Sequence, residues 1–267
     1  MRERQHEIIE KLGVKPIIDP REEVEQRTHL LASYLREHHR AGYTLGISGG
    51  QDSLLVGLLA QRAVMLNRTL GYDSTFSAIL LPYGTQADRA DALLAIDTIK
   101  PDHTIDFNIA SVVDAFVSSY DAASGESLTD FHKGNVKART RMMAQYAVAG
   151  MHDQVVLSTD HAAEALVGFF TKFGDGAADV APIATLNKRQ GRQVLRFLDV
   201  PEVFITKVPT ADLLDATPSQ PDEVELGMTY EDFDDYLEGF EVPEEKAIAI
   251  ERRHAAILHK LEPIVRF

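Results

Sequence analysis

Eight consecutive residues, Gly46-Ile47-Ser48-Gly49-Gly50-Gln51-Asp52-Ser53, join groups that bind phosphate to one that would repel it. The glycines let the backbone turn sharply and leave its N–H groups bare, while two serines add hydroxyl donors. A helical pattern follows, so these donors lie at the positive end of a helix dipole, a ready place for phosphate oxygens. No lysine stands where a GxxxxGKS/T loop requires one. Asp52 is there instead, a carboxylate tolerable beside phosphate only with a cation such as Mg²⁺ between them. The stretch reads as a pyrophosphate cradle with a built-in metal ligand. The plainer alternative is a glycine-rich turn in which Asp52 and Ser53 cap a helix.

Other chemistry-bearing residues lie further on. Glu164 follows Asp160 by one helical turn, so the two share a face, and Glu164 is either a second metal carboxylate or a first-turn acid favoured by the helix dipole. Lys172, Gly174-Asp175-Gly176 and Asp179 occupy a loop too glycine-rich for an ordinary linker. Lys188-Arg189-Gln190-Gly191-Arg192 opens a helix with cations, where the dipole disfavours them, which suggests an anion partner or else a solvated basic turn. Lys133, Lys137 and Arg141 form one helical stripe, with Arg139 turned elsewhere. Zero cysteines exclude thiolate nucleophiles, disulfides and Cys-based zinc sites.

The elements that must position these groups alternate. Helical patterns at 2–12 and 20–40, the second opened by Asp19-Pro20 as cap and first residue, precede a strand at 43–47 and a helix at 52–67. A strand at 75–81, a helix at 87–99, a strand at 103–109 and helices at 112–122 and 130–149 follow. A fourth strand at 154–158, helices at 160–170 and 188–198, a strand at 203–207 and acidic helices at 229–239 and 243–261 complete the chain. Strands separated by helices predict an α/β fold: a doubly wound, mostly parallel sheet with helices on both faces and a helical C-terminal extension, as one domain over 1–267. Polar residues stand at three strand ends, in SGGQDS, LPYGTQ and STDHAAE, where such sheets bind ligands. The run Glu231-Asp232-Phe233-Asp234-Asp235 reads as a solvated helix face.

The 267 residues suffice for a sizeable core, and a formal net charge of −14 argues against nucleic-acid or membrane-surface partners. The N-terminus lacks a signal-peptide core and no apolar run is long enough to span a bilayer, so a soluble cytoplasmic protein is expected.

Seven motifs in order, SGGQDS, LPYGTQ, STDHAAE, FFTKFGDG, LNKRQG, PTADL and DDYLEG, resemble those of ammonia-dependent NAD⁺ synthetases, over nearly the whole chain. SGGxDS alone marks only the wider ATP pyrophosphatase superfamily. The resemblance implies amidation of deamido-NAD⁺ by free ammonia, with ATP cleaved to AMP and pyrophosphate through an acyl-adenylate. It implies Mg²⁺ at Asp52 and Glu164, with Lys188 a third catalytic residue, and ATP contacts from Gly46, Ile47, Ser48, Gly49, Gly50, Gln51, Asp52, Ser53, Thr159, Lys188 and Thr210. Arg139, Lys172, Asp179, His259 and Lys260 match deamido-NAD⁺ positions, and a homodimer is implied. Leu54 and Leu58 replace the usual Thr and Lys, Phe173 replaces a common Tyr, and the tail after Lys260 departs from the family pattern. Two alternatives remain: another amidating ATP pyrophosphatase, or a nucleotide-binding regulatory module without catalysis.

Overall fold

The computed structural model describes every residue except Met1, Ala87, Asp212 and Phe267. The predicted start of the 87–99 helix, the aspartate of PTADL and the final residue therefore lie outside the described residues.

In chain order the elements are α1 (Glu3–Leu12), α2 (Pro20–Glu37), β1 (Gly42–Gly46), α3 (Gln51–Thr69), β2 (Thr75–Leu80), α4 (Arg89–Ile99) and β3 (His103–Asp106). After them come α5 (Ala110–Ser124), α6 (Asp130–Met151), β4 (Gln154–Val156), α7 (Ala162–Val167) and α8 (Lys188–Phe197). The chain closes with α9 (Glu202–Thr206), α10 (Asp222–Leu226), α11 (Tyr230–Leu237) and α12 (Glu244–Leu261). The sheet runs β3-β2-β1-β4 with every pair parallel. From β1 the chain winds outward through β2 to β3, then crosses to β4 on the other side of β1. The direction of winding thus reverses between β1 and β4, which is where a doubly wound sheet opens a crevice at its carboxyl ends.

Side-chain alternation along β2 explains the layering. Phe76, Ala78 and Leu80 enter the large core against α2, α3 and α8, whereas Ile79 and Leu81 face Val113 of α5 and Ala144 of α6. A separate cluster joins α1, α7, α11 and α12 through Ile8, Leu166, Tyr230, Phe233, Tyr236 and Ile250. The C-terminal helices are therefore one layer with the N-terminal helix, which the sequence patterns did not connect.

Helix α2 begins as predicted, with the Asp19 carboxylate accepting from the N–H groups of Arg21 and Glu22 at 2.8 and 3.2 Å. It stops before His39, whose φ is 54°. The expected strand at 203–207 is instead helix α9. Its β-branched residues suggested a strand, but Pro201 sets the turn and Phe204 and Ile205 are buried in the large core, so tertiary burial overrides local propensity. The five-residue α10 was not anticipated, and α7 and β3 are shorter than their patterns. Among the described residues, no helix is long and apolar enough to cross a membrane.

Candidate active site at the carboxyl ends of β1 and β4

Helix α3 starts on Gly50, which offers no side-chain cap, so its first N–H groups lack intrahelical acceptors. The loop before it is braced from within: Ser48 and Ser53 hydroxyls lie 2.9 Å apart, and Ser48 Oγ accepts the Gly50 N–H at 3.1 Å. Gly49 turns the chain at φ 83°, and a Cβ there would lie 2.6 Å from the Ala92 nitrogen, so only glycine lets the loop lie against α4. Gly46 and Ile47 differ from the residues that follow. Their N–H groups donate to Gln145 Oε1 and the Ile79 carbonyl, both at 2.8 Å, so they belong to the sheet and have no N–H to offer a phosphate. Gln51 is buried and donates to the Ile205 carbonyl. The Ser48 N–H donates to Ser53 Oγ at 3.2 Å, so the N–H groups left facing outward are those of Gly49, Gln51 and Ser53. Leu54 is fully buried in the core, and Leu58 packs against it.

Asp52 does not cap α3; its Oδ2 accepts from Lys188 Nζ at 2.7 Å. Lys188 is 3% exposed, comes from the first turn of α8, and lies 5.0 Å from the Tyr230 ring. Glu164 enters from α7. Burial foremost, and then the Asp52 charge, push the Glu164 carboxyl well above its ordinary range. Burial also raises Asp52, but Lys188 and His161 overcome it and hold that carboxyl below its usual value. Burial disfavours the Lys188 charge, and Asp52 and Glu164 more than restore it. Burial holds His161 as neutral imidazole, its pKa brought down to about 3. Ligand atoms of Asp52, His161 and Glu164 all lie within 4.8 Å of one another. Two hard carboxylate oxygens beside the N-terminus of α3, one resisting ionisation beside the other, are a donor set that fits a divalent cation such as Mg²⁺.

The basic opening of α8 has found its anion within the chain. Asp234 is buried, and its carboxylate accepts the Lys188 and Arg189 N–H groups at 3.0 and 2.8 Å, capping α8. Arg189 reaches Asp235 and Glu238, both at 2.6 Å. The run 231–235 is thus partly a docking edge rather than a solvated face, which corrects the sequence reading. Capping by an acid also removes the conflict between the basic residues and the helix dipole.

Part of the basic stripe on α6 is likewise occupied. Lys133 and Lys137 grip Asp215 at 2.7 and 2.5 Å, and Lys137, itself buried, also donates to the Leu213 carbonyl. Asp130 accepts the N–H groups of Asp215 and Ala216. At the root of this loop Lys207 donates to the Gly49 carbonyl at 3.1 Å and to Asp88 and Asp91, both at 2.7 Å. The loop ends at Asp222, which accepts from Tyr230 and lies near enough to feel the Lys188 charge. Its described residues therefore reach from the Gly49 carbonyl to α6 and on to the neighbourhood of Lys188. Thr210 is exposed at its foot, bridged to Pro221, and Thr159 is half-buried just beyond β4.

A second group gathers the residues matched to deamido-NAD⁺. Arg139 donates to the Lys172 carbonyl at 3.3 Å, and Lys172 Nζ to the His259 carbonyl. Lys260 Nζ donates to the carbonyls of Gly168 and Phe170 at 2.6 and 2.5 Å, capping the end of α7. His259 itself is exposed. Asp179 stands apart from them: its carboxylate accepts the Val156 N–H at 2.8 Å and lines a cavity of about 320 Å³ with Tyr34, His38, Arg40 and Tyr146. The sequence reading missed Tyr230, Asp222 and Lys207. Their long separations from 46–53 left no local pattern to find.

Asp160 supplies a pH test. Burial foremost, then the Asp175 charge, raise its carboxyl to about 7. An acid raised in the folded state is penalised as pH climbs from its unfolded value towards its folded one, because the unfolded chain releases the proton first. Asp160→Asn is therefore expected to raise the melting temperature of the metal-free protein at pH 8 and to change it much less at pH 5. Equal shifts at both pH values would mean that the carboxyl ionises freely.

A family model described as NAD synthase matches residues 23–263. The chain is 54% identical over 256 residues to an NH3-dependent NAD⁺ synthetase of Bacillus licheniformis, covering 96% of this chain and 94% of that one. A solved NAD⁺ synthetase from Burkholderia pseudomallei superposes with a TM-score of 0.85 at 44% identity, over 97% of this chain and 96% of that one. A solved NMN synthetase from Francisella tularensis superposes at 0.83 with 32% identity, over 94% and 99%. With an open α3 N-terminus, two carboxylates and a buried lysine meeting where its sheet reverses direction, the chain belongs to the NAD synthase family.

Proposed function

We propose that the chain, acting as one domain, amidates deamido-NAD⁺ to NAD⁺ with free ammonia and ATP. The observation that carries this reading is the meeting of Asp52, Glu164 and Lys188 beside the bare N-terminus of α3. A carboxylate is a poor electrophile. The nicotinate carboxylate therefore attacks the α-phosphorus of ATP, the bond to pyrophosphate breaks, and an acyl-adenylate forms. The outward N–H groups at the start of α3 hold the departing pyrophosphate, and Lys188, fixed between Asp52 and Tyr230, adds a cation that needs no reorganisation. Mg²⁺ held by Asp52 and Glu164 would supply further neutralisation of that pyrophosphate.

Ammonia then attacks the acyl carbon and AMP leaves. Asp160, with its carboxyl near 7, is suited to take the proton that ammonium must lose at neutral pH. No protein nucleophile takes part, in keeping with a sequence of zero cysteines. The dinucleotide is held by Arg139, Lys172, His259 and Lys260 on one side and by Asp179 in its cavity. Binding orients the two nucleotides in line.

A homodimer in the cytoplasm is part of this reading. Along α5 only Val113 is buried, and Phe116 of α5 and Phe131, Met143 and Met151 of α6 stand exposed, apolar groups of which a second copy would cover a part.

The test is a product assay with ATP, Mg²⁺ and deamido-NAD⁺, supplied with ammonium or glutamine. NAD⁺ and AMP are expected in equal amounts with ammonium and neither with glutamine. Because one solved relative is described as an NMN synthetase, the mononucleotide counterpart of deamido-NAD⁺ serves as the control and should be a poor substrate. AMP without NAD⁺ would overturn the amidation. Nucleotide binding without AMP would favour the non-catalytic module. Lys172→Ala is expected to raise KM for deamido-NAD⁺ about tenfold with kcat little changed, the size of one charge-assisted hydrogen bond. An unaltered KM would remove Lys172 from the dinucleotide site.

A further inference from the structure

His161 stands between the two carboxylates with no partner on either ring nitrogen. Its side chain is 2% exposed, and Nε2 lies 3.6 Å from Glu164 Oε1 and 4.0 Å from Asp52 Oδ1. An unbonded polar group at this depth is costly and calls for a partner such as an ion. Both gaps are too long for hydrogen bonds, which span about 2.7–3.2 Å. Donor atoms at about 2.1 Å from a six-coordinate divalent cation lie about 3 Å apart when adjacent and about 4.2 Å when opposite. The two gaps fall between these limits, so one ion can span them once the side chains turn by a few tenths of an ångström.

The surroundings keep the imidazole aimed at this point. His161 is the cap residue of α7, its carbonyl accepts from Ala165, and its ring lies against Tyr230 with centroids 5.9 Å apart. Lys188 occupies Oδ2 of Asp52, while Oδ1 is the oxygen nearer His161. The nitrogen and the two carboxylates thus converge without rearrangement of the backbone.

We propose that His161 is a direct nitrogen ligand of the metal ion at Asp52 and Glu164. The inference rests on the reading of those two carboxylates as metal ligands. It makes the centre a two-carboxylate, one-imidazole site. Magnesium favours oxygen and keeps its waters, whereas first-row transition ions accept imidazole. At such a site Mn²⁺ binds more tightly than the Mg²⁺ that the proposed reaction uses.

The probe is Mn²⁺ added to the full chain, read by electron spin echo envelope modulation. Expected is a strong ¹⁴N modulation that changes to the ¹⁵N pattern when only histidine is ¹⁵N-labelled, and that disappears in Asp52→Asn. Mn²⁺ should bind at least about tenfold more tightly than Mg²⁺ by displacement, and the ratio should fall towards one in His161→Gln. The labelling arm uses the unaltered chain, so it stands even if His161→Gln fails to fold. Mn²⁺ binding that requires Asp52 but shows no histidine nitrogen would overturn the role of His161 and leave the carboxylate site standing. Mn²⁺ binding indifferent to Asp52→Asn, or none at all, would overturn the carboxylate reading as well.

Discussion

Asp52→Asn is expected to lower kcat for NAD⁺ formation by about 10³-fold or more, the scale of losing a charge-stabilising group at the reacting centre. The substitution keeps the shape of the side chain and an oxygen able to accept from Lys188 at the present 2.7 Å. What it removes is the negative charge that would draw a cation to the pyrophosphate. The fold should persist. Glu164 remains to face Lys188, and loss of the Asp52 charge relieves one cause of the raised Glu164 carboxyl. The check is steady-state NAD⁺ and AMP release at saturating Mg²⁺, with a melting curve alongside. A folded variant retaining more than about a tenth of wild-type kcat would refute the metal role of Asp52, since a ligand loss is expected to cost far more.

Lys188→Met is expected to cost about 10²–10⁴-fold in kcat/KM, and unlike Asp52→Asn it should also weaken the fold. Methionine restores most of the buried volume beside Tyr230 but leaves Asp52 and Glu164 facing each other without their cation. The pH dependence separates charge from packing. Asp52 has a lowered pKa in the folded state, so its contribution is present above the unfolded value near 3.8 and is lost as pH falls through the folded value. Removing Lys188 abolishes that contribution. The melting temperature of Lys188→Met should therefore fall furthest below wild type near neutral pH, and the two should converge in acid. A deficit of the same size at every pH would assign the effect to packing alone.

The parallel sheet and the glycine turn into α3 were legible because their causes are local. Apolar runs buried on both faces mark β1 and β2, and the glycines at 49 and 50 have few other uses between a strand and a helix. The motif order led to the family for the same reason, since each motif is a short contiguous stretch. What escaped was set by distant partners. The residues of α9 have strand-like side chains, yet burial of Phe204 and Ile205 decides their conformation. Asp234 looks like any solvated acid until α8 places two N–H groups on it. Lys133 and Lys137 carry no sign in sequence that Asp215, some eighty residues on, is their anion. Glu164 could be singled out by its helical spacing from Asp160, but nothing in the spacing around His161 set it apart. Only the depth of its ring and its unbonded nitrogens mark it out.

The loop at 208–221 is fastened by the chain's own groups at its root, through Lys207, and on α6, through Asp215 and Asp130. In the proposed function a triphosphate would lie between this loop and the start of α3, and entry would have to pass these fastenings. How often the loop lets go, rather than how often molecules collide, would then set the pace of capture. Raising the ATP concentration would speed entry only until opening becomes the slower event, so the observed rate would level off instead of climbing in proportion. The same delay would act in the other direction: a reactive mixed anhydride under a reluctant door would have longer to meet ammonia before it met water.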